Sequence, residues 1–447
     1  MKLLTKRVID KLIQSGMFSV LFFSVCLLCF PLQVYSVNKE CPNCQANYND
    51  EDFPDCPLCN SEPDHQEVPS QSLLEHIQNQ ALRLFVQAAQ LQVNFVLSPD
   101  SVFRTLLLIF GASAGETRSE LSRYLTGEDD SASGQGAVAN LAEEQGATAA
   151  DGEGAVYLSA NAVVVSSELG IRESYRNALE QQDNTVLHDG IDFSNTPALK
   201  KLAGKLNEYF CRVTRGMIPS PCSASDWKEN QSVLFMNAVY FSGDWEDEFD
   251  RNLNLEFTLA NGERVHLIDS MERNIENGRY AYYEFWRAAA IPYQGDYEMV
   301  FVLPPNDTMP NEVSPEIIIG LFSSFQTVEK LHVEMPSFSS QSKVSLNAPL
   351  DQSGLSSLFT PGAANWGGMV ASSPSPFSIS RITQDCHIRV DRKGTEAAAF
   401  TRSYATFLSA RFYPKEIIFD HPYLYILRHK ETGRIIFIGQ VYDPQPE

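Results

Sequence analysis

Two short cysteine repeats near the N-terminus are the residues of this chain whose spacing most directly suggests chemistry. They are Cys41-Pro42-Asn43-Cys44 and Cys56-Pro57-Leu58-Cys59, with eleven residues between them. This spacing is close to that of a zinc ribbon, in which each C-x-x-C pair contributes two thiolates to one metal ion. In an oxidising compartment the same four thiols would form two disulfides instead. The sequence leaves open two disulfides, a zinc site, and a third case in which neither forms.

The remaining cysteines add one further candidate pair. Cys211 and Cys222 are close enough in sequence to form a disulfide, and Cys386 falls in an apparent strand, where we interpret it as a small buried hydrophobic residue. Cys26 and Cys29 lie in an apolar N-terminal segment that we expect to be removed. Seven of the nine cysteines would then remain, so at least one thiol is free or bonded outside the chain.

The segment Gly111-Ala112-Ser113-Ala114-Gly115 has the form G-x-S-x-G, the pattern of a hydrolase nucleophile turn. Such a turn must follow a strand, and Leu106 to Phe110 could pass for one. The Ser98-Pro99 pair, however, is typical of a helix start and favours a helix through Phe110. The alternation of strands and helices that a hydrolase fold needs is also missing downstream. A serine hydrolase using Ser113 is therefore only a remote alternative.

Other catalytic signatures are missing from the sequence. It has no H-E-x-x-H motif, phosphate-binding loop or dinucleotide glycine pattern, and its eight histidines are scattered. We interpret His387 and His421 as structural. We therefore expect no enzyme and no cofactor, apart from zinc on the N-terminal cysteines.

Composition limits the classes of partner. The formal net charge is -22 at pH 7 over 447 residues, which argues against binding to nucleic acid or to anionic membranes. A hydrophobic content of 43% is enough for one large core. We expect a monomer whose partners are neutral or basic.

The N-terminus is typical of a secretory signal. Basic residues come first, an apolar run extends from Met17 to Leu32, and Val34-Tyr35-Ser36 is a plausible cleavage site. An uncleaved signal anchor is the alternative. We predict a signal peptide over residues 1–36, a Cys-rich extension over 37–71 and one large domain over 72–447. Secretion would make the sequons at Asn230 and Asn306 available for glycosylation.

The elements of the large domain can be placed from local patterns. Ser72 to Glu75 is a capping box that opens an amphipathic helix. Residues 419–428 and 434–441 have the pattern of two apolar strands, and the turn Lys430-Glu431-Thr432-Gly433 lies between them. This order predicts a hairpin. The stretch from Gly127 to Gly154 is poor in large apolar residues, and we expect a loop there without a helix of normal length.

The segment from Gly394 to Ala405 has the pattern of a strand with one small face. Because alternate side chains of a strand point to opposite sides, one face carries only small residues, whereas the other carries Glu396, Phe400, Arg402 and Tyr404. The small face consists of Thr395, Ala397, Ala399, Thr401, Ser403 and Ala405. Only that face could enter a packed core without overpacking it.

This segment resembles the hinge of a serpin reactive loop, and an ordered set of further motifs carries the resemblance from about residue 72 to 443. These motifs are Asn94 to Pro99, Gly111 to Thr117, Asn237 to Trp245, Ile291 to Asp296, Met335 to Phe338, and Phe419 to Val441. The resemblance implies an α+β serpin fold, with helices packed around three β-sheets and an exposed reactive loop at about 394–415. It implies a hinge formed by Gly394, Thr395, Glu396, Ala397, Ala398 and Ala399, with Trp245 and Arg392 at the entrance to the sheet.

The resemblance also implies a function. A serpin inhibits a serine protease by offering a bond of the loop, after which the hinge inserts into the main sheet and the protease stays covalently bound. The usual count from the hinge glycine places this bond at Leu408–Ser409, which suits chymotrypsin-like or elastase-like enzymes. The alternative bond is Arg411–Phe412, which suits a trypsin-like enzyme.

Several departures from the family pattern keep a second function open. Arg392 stands where many serpins have a glutamate, and Phe400 interrupts the small residues of the hinge. The alternative is a non-inhibitory serpin that acts as a carrier or binding protein. No Lys or Arg occurs from Gly127 through Glu168, where heparin-regulated serpins carry a basic helix, so we expect no heparin binding there.

Overall fold

The computed structural model describes residues 39–40, 47–48, 71–90, 92–146, 155–373, 375–395 and 415–444. The signal segment, the cysteines of the two C-P-x-C repeats and loop residues 396–414 lie outside this range. The chain divides into two units, Met1–Val68 and Pro69–Glu447. In the first unit, β1 (Lys39–Glu40) and β2 (Asn47–Tyr48) form an antiparallel pair.

The second unit contains helices and strands in mixed order. Its helices are α1 (Gln71–Ala88), α2 (Pro99–Ala112), α3 (Gly115–Thr126), α4 (Ala132–Gly146), α5 (Glu173–Glu180), α6 (Thr196–Val213), α7 (Pro315–Ser323) and α8 (Asn347–Leu350). Its first ten strands are β3 (Phe95–Leu97), β4 (Val156–Ser166), β5 (Gly170–Ile171), β6 (Thr185–Ile191), β7 (Val233–Asp244), β8 (Asp250–Asn252), β9 (Leu255–Thr258), β10 (Arg264–Leu267), β11 (Ser270–Tyr283) and β12 (Trp286–Pro292). The others are β13 (Tyr297–Leu303), β14 (Gln326–Pro336), β15 (Phe338–Ser345), β16 (Val370–Ser372), β17 (Ile379–Val390), β18 (Gly394–Thr395), β19 (Lys415–Ile418), β20 (Tyr423–His429) and β21 (Ile435–Val441).

Two large sheets organise this unit. The six-stranded sheet has the order β15-β17-β18-β7-β4-β6, and the nine-stranded sheet has the order β19-β14-β11-β12-β13-β20-β21-β3, with β8 also paired to β11. The long strand β11 joins two parts of the larger sheet. Ser270–Tyr280 pairs with β14, Ser270–Glu272 also pairs with β8, and Arg279–Tyr283 pairs with β12. The α+β class with helices around three sheets is confirmed, the second and third sheets being continuous through β11.

Local sequence signals account for the elements nearest the sheets. Ser98 caps α2, its hydroxyl accepting a hydrogen bond from the Ser101 amide, and Pro99 occupies the first turn. The predicted C-terminal hairpin is present as antiparallel β20 and β21. In α1 the predicted apolar face is buried, with Ala81, Leu84 and Phe85 fully enclosed.

The prediction of a loop between Gly127 and Gly154 is wrong for part of that stretch, because α4 occupies Ala132–Gly146. Alanine has the highest helix propensity, and burial of Val138 and Leu141 against the rest of the protein is enough to fix a helix with little amphipathic character.

Candidate functional site

The candidate site lies where β18 enters the six-stranded sheet. Over most of their length β17 and β7 pair directly and in parallel, from Ile379 opposite Val233 to His387 opposite Tyr240. Near the C-terminal ends of these two strands, β18 lies between them and is antiparallel to both, with Thr395 opposite Val390 and Gly243. The hinge has therefore already taken the first position of a new strand between β17 and β7.

Thr395 is held in a buried polar contact. Its side chain is 1% exposed, and its hydroxyl oxygen lies 2.6 Å from the Tyr293 hydroxyl oxygen. Burial raises the pKa of Tyr293 well above its ordinary value, so the phenol is neutral. The Tyr293 ring in turn stacks on Trp245, with ring centroids 4.2 Å apart. A small residue with one hydroxyl satisfies this position, whereas a charge there would be buried without a partner.

Backbone hydrogen bonds hold the chain segment that leads into β18. The Trp245 indole donates to the carbonyl of Asp391 at 2.9 Å, and the Trp245 amide donates to the carbonyl of Lys393 at 2.8 Å. The Phe249 amide donates to the carbonyl of Arg392 at 2.8 Å. Because Arg392 contributes a backbone group here, this contact does not depend on its side-chain charge.

Glycine is the one residue type that fits at position 394. A Cβ atom there would lie 2.1 Å from the carbonyl oxygen of Gly243 and 2.8 Å from Cα of Asp244. Both obstacles are backbone atoms of β7, which cannot move without breaking the sheet. The hinge glycine is therefore required by close packing against the neighbouring strand.

A buried polar cluster lies further along the same gap. Gln384 of β17 donates to the carbonyl of Ser98 at 3.0 Å and to the side-chain oxygen of Asn237 on β7 at 3.1 Å, and it accepts from the Ser98 amide at 2.9 Å. Asn237 also donates to the side chain of Asn161 at 3.0 Å. These side chains join β7, β17 and the start of α2 at the place where the two central strands must separate for insertion.

The structure brings together part of the predicted site. Trp245, Arg392, Gly394 and Thr395 lie next to one another. Glu396 to Ala399 and both candidate bonds, Leu408–Ser409 and Arg411–Phe412, lie outside the described residues. The sequence did not identify Tyr293 or Gln384 as site residues. The only signal for Tyr293 was its place in the Ile291-Pro292-Tyr293 motif, and Gln384 had none.

The hydrolase reading of Ser113 is wrong. Ser113 lies between α2 and α3, follows a helix instead of a strand, and is 2% exposed. Its hydroxyl donates to the Phe110 carbonyl at 2.8 Å, so it closes the end of α2.

The disulfide considered between Cys211 and Cys222 is not formed, because both are free thiols, as is Cys386. Cys222 is buried with its sulfur 3.9 Å from the sulfur of Met236, and burial raises its pKa to about 12. Asn207 fixes the backbone of Cys222 through two hydrogen bonds of 2.9 Å, which holds the thiol toward the core. Cys386 is buried, as its strand position indicated.

The surface positions relevant to export can also be placed. Both sequon asparagines, Asn230 and Asn306, are exposed in turns. None of the described helices combines the length and the apolar character needed to cross a bilayer.

Comparison with known families decides the identity of the fold. A family model described as Serpin (serine protease inhibitor) matches residues 75–444. The chain is a serpin. The residues of this serpin outside the match include the two cysteine repeats.

Curated relatives and solved structures agree with this assignment. This serpin is 26% identical to plasminogen activator inhibitor 1 of Neovison vison, over 81% of the chain and 91% of the relative. It is 26% identical to human leukocyte elastase inhibitor, over 78% of the chain and 93% of the relative. Its fold matches native tengpin, a thermophilic serpin, with a TM-score of 0.71 at 19% identity over 83% of the chain and 94% of tengpin. It also matches thyroxine-binding globulin in complex with thyroxine, with a TM-score of 0.69 at 19% identity over 84% and 99% of the two chains.

Proposed function

We propose that this serpin is a secreted inhibitor of a serine endopeptidase with chymotrypsin-like or elastase-like specificity. The target attacks Leu408–Ser409, and insertion of the freed hinge then traps the covalent acyl-enzyme. The observation that carries the proposal is the seating of Gly394 and Thr395 between β17 and β7, since an inserting strand must begin there. Two relatives are named for the inhibition of plasminogen activator and of leukocyte elastase.

The register of β18 predicts where the rest of the loop would go. If the strand continued from Thr395 toward the N-terminal end of β7, Ala397 would lie beside Phe241 and Ile388, and Ala399 beside Val239 and Cys386. All four of these neighbours are buried, so only small side chains fit between them.

Two residues after Ala399, the same register places Thr401 between Asn237 and Gln384. Thr401 lies at the depth of the existing polar cluster, so its hydroxyl would find partners there. Separating β7 from β17 breaks the Gln384 to Asn237 hydrogen bond, and Thr401 would replace it. The match of chemistry and register supports insertion of this segment.

The length of the gap favours Leu408 over Arg411. The inserted strand would reach Ala405 opposite Val233 and Thr406 opposite Ile379, where β7 and β17 begin. Cleavage after Leu408 leaves two residues beyond that point, whereas cleavage after Arg411 leaves five. The shorter tether holds the bound protease closer to the end of the sheet.

Insertion is favourable because it adds backbone hydrogen bonds to the six-stranded sheet. It replaces eight parallel residue pairs between β7 and β17 by antiparallel pairing of the new strand with both neighbours. Each added backbone hydrogen bond contributes on the order of 1 kcal/mol. A strand of about a dozen residues therefore gains enough free energy to distort a protease of ordinary stability.

Incubation with chymotrypsin, pancreatic elastase and trypsin tests the proposal. Denaturing gels should show a covalent complex with chymotrypsin or elastase, and mass spectrometry of the released C-terminal peptide should give Ser409 as its first residue. A peptide beginning at Phe412 would move the bond to Arg411. Cleavage at either bond without a complex or a gain in thermal stability would refute inhibition.

The similarity to thyroxine-binding globulin is at 19% identity and shows the fold alone, so it does not favour a carrier function. The small inserting face speaks against it, because a carrier does not need six alternating small residues. Secretion is tested separately by N-terminal sequencing of protein from the culture medium. A chain that starts near Val37 is expected, and retention of Met1 in a membrane fraction would contradict it.

A further inference from the structure

Three potential metal ligands meet on the outer face of the nine-stranded sheet, away from the insertion site. They are Glu272 on β11 and His332 and Glu334 on β14, and their ligand atoms all lie within 4.8 Å of one another. Because β11 and β14 are antiparallel neighbours, Glu272 lies directly opposite Glu334 and Asn274 directly opposite His332.

Strand geometry accounts for this convergence. Residues two apart on a strand share a face, so His332 and Glu334 project together, while Leu331 and Val333 point into the core. Directly opposite side chains on antiparallel strands start about 5 Å apart. Two ligands from one strand and one from its neighbour can therefore surround a single ion without backbone movement.

His332 is oriented as a metal ligand would be. Its ring is 3% exposed, with Nδ1 at 3.0 Å from the side-chain oxygen of Asn274 and Nε2 at 2.9 Å from a carboxylate oxygen of Glu334. Without metal, a proton on Nε2 makes the contact with Glu334 a hydrogen bond. With the Nδ1 proton donated to Asn274, a metal ion would take the place of the Nε2 proton. A hydrogen bond from the second ring nitrogen is the usual way in which a protein fixes a metal-binding histidine.

The ligand set selects the metal. One imidazole nitrogen and two carboxylate oxygens match the ligands of Zn²⁺, which binds them at about 2.0–2.2 Å. Ca²⁺ prefers six to eight oxygen ligands and would not use His332. We propose that Glu272, His332 and Glu334 bind a zinc ion, with water in the fourth position.

The place of this site in the sheet gives the ion a mechanical role. It ties β11 to β14, and β14 pairs in parallel with β19, where His332 lies opposite Glu416. β19 starts at Lys415, the first described residue after the loop. Zinc would therefore brace the strands that hold the C-terminal end of the reactive loop, which goes beyond the inhibitory function itself.

Metal titration of the full chain tests the site, and Co²⁺ is the probe that separates it from the N-terminal cysteines. Cobalt bound by nitrogen and oxygen shows visible d–d bands without the thiolate charge-transfer band that cysteine ligands produce. We expect one equivalent bound with the nitrogen and oxygen spectrum, displaced by Zn²⁺. Glu272→Gln and Glu334→Gln, both nearly isosteric, should weaken binding by at least about tenfold.

Glu276→Gln is the matched control, because Glu276 is exposed on the same face of β11 and lies outside the cluster. It should bind cobalt as the unmodified protein does, and all three variants should unfold at similar temperatures without metal. Absence of binding, a thiolate spectrum alone, or equal affinity in Glu334→Gln and Glu276→Gln would each overturn the proposal.

Discussion

Replacement of Thr395 by arginine should convert this protein from an inhibitor into a substrate of its target. Thr395 is 1% exposed, and its hydroxyl contacts the neutral Tyr293 phenol at 2.6 Å. An arginine at this position cannot keep its charge in water if the hinge is inserted. In the uncleaved protein the hinge would leave the sheet, losing only the two residues of β18.

The magnitude follows from the cost of an unpaired buried charge. Such a charge costs about 3–5 kcal/mol, and each 1.4 kcal/mol changes a rate or an equilibrium tenfold. Insertion should therefore slow by roughly a hundredfold or more. Hydrolysis of the acyl-enzyme is unaffected by the hinge, so it would be completed before the protease is trapped.

The measurement is the number of inhibitor molecules consumed for each protease molecule inactivated, together with the covalent complex on denaturing gels. Thr395→Arg should raise this ratio sharply and give cleaved protein without a complex. Thr395→Ser keeps the hydroxyl and is the matched control, with a ratio near that of the unmodified protein. Thr395→Val loses about 1 kcal/mol of hydrogen bonding and should change the insertion rate less than tenfold.

The reasoning would be refuted by a Thr395→Arg variant that forms a complex at the unmodified ratio. That result would mean that trapping does not require this residue to enter the sheet. If Thr395→Ser raised the ratio as much as Thr395→Arg, the loss of inhibition would come from altered packing and not from the buried charge.

Three further predictions test the surroundings of the hinge. Gly394→Ala places a methyl group 2.1 Å from the Gly243 carbonyl oxygen and should expel the hinge, measured as faster hydrogen exchange at Thr395 with little change in global stability. Gln384→Leu leaves buried partners such as Asn237 unsatisfied and should lower the free energy of unfolding by about 2–3 kcal/mol in denaturant titrations. Burial raises the pKa of Asp385 to about 7 from an ordinary 3.8, so the native state holds a proton between about pH 4 and pH 7 that the unfolded state has lost. Stability should fall as pH rises through this window, and Asp385→Asn should remove that fall, whereas an unchanged pH profile in the variant would contradict the assignment.

Local features of the fold were predictable from the sequence because their causes are local. Ser98 and Pro99 start α2 through a cap and a fixed backbone angle, and the turn at Lys430 to Gly433 connects two apolar strands. The helix α4 was missed because most of its support comes from docking. Only Val138 and Leu141 mark its buried side, too few to give a periodic signal.

The small inserting face of the hinge is a property of the sequence by itself, because period-two alternation sorts side chains wherever the strand lies. The tertiary structure alone decided what that face meets. Asn237 and Gln384 come from distant parts of the chain and meet through the pairing of β7 with β17. Tyr293 reaches Thr395 through its bridge to Trp245 at the end of β7. The convergence of Glu272 with His332 likewise depends on the register between β11 and β14, which no local pattern encodes.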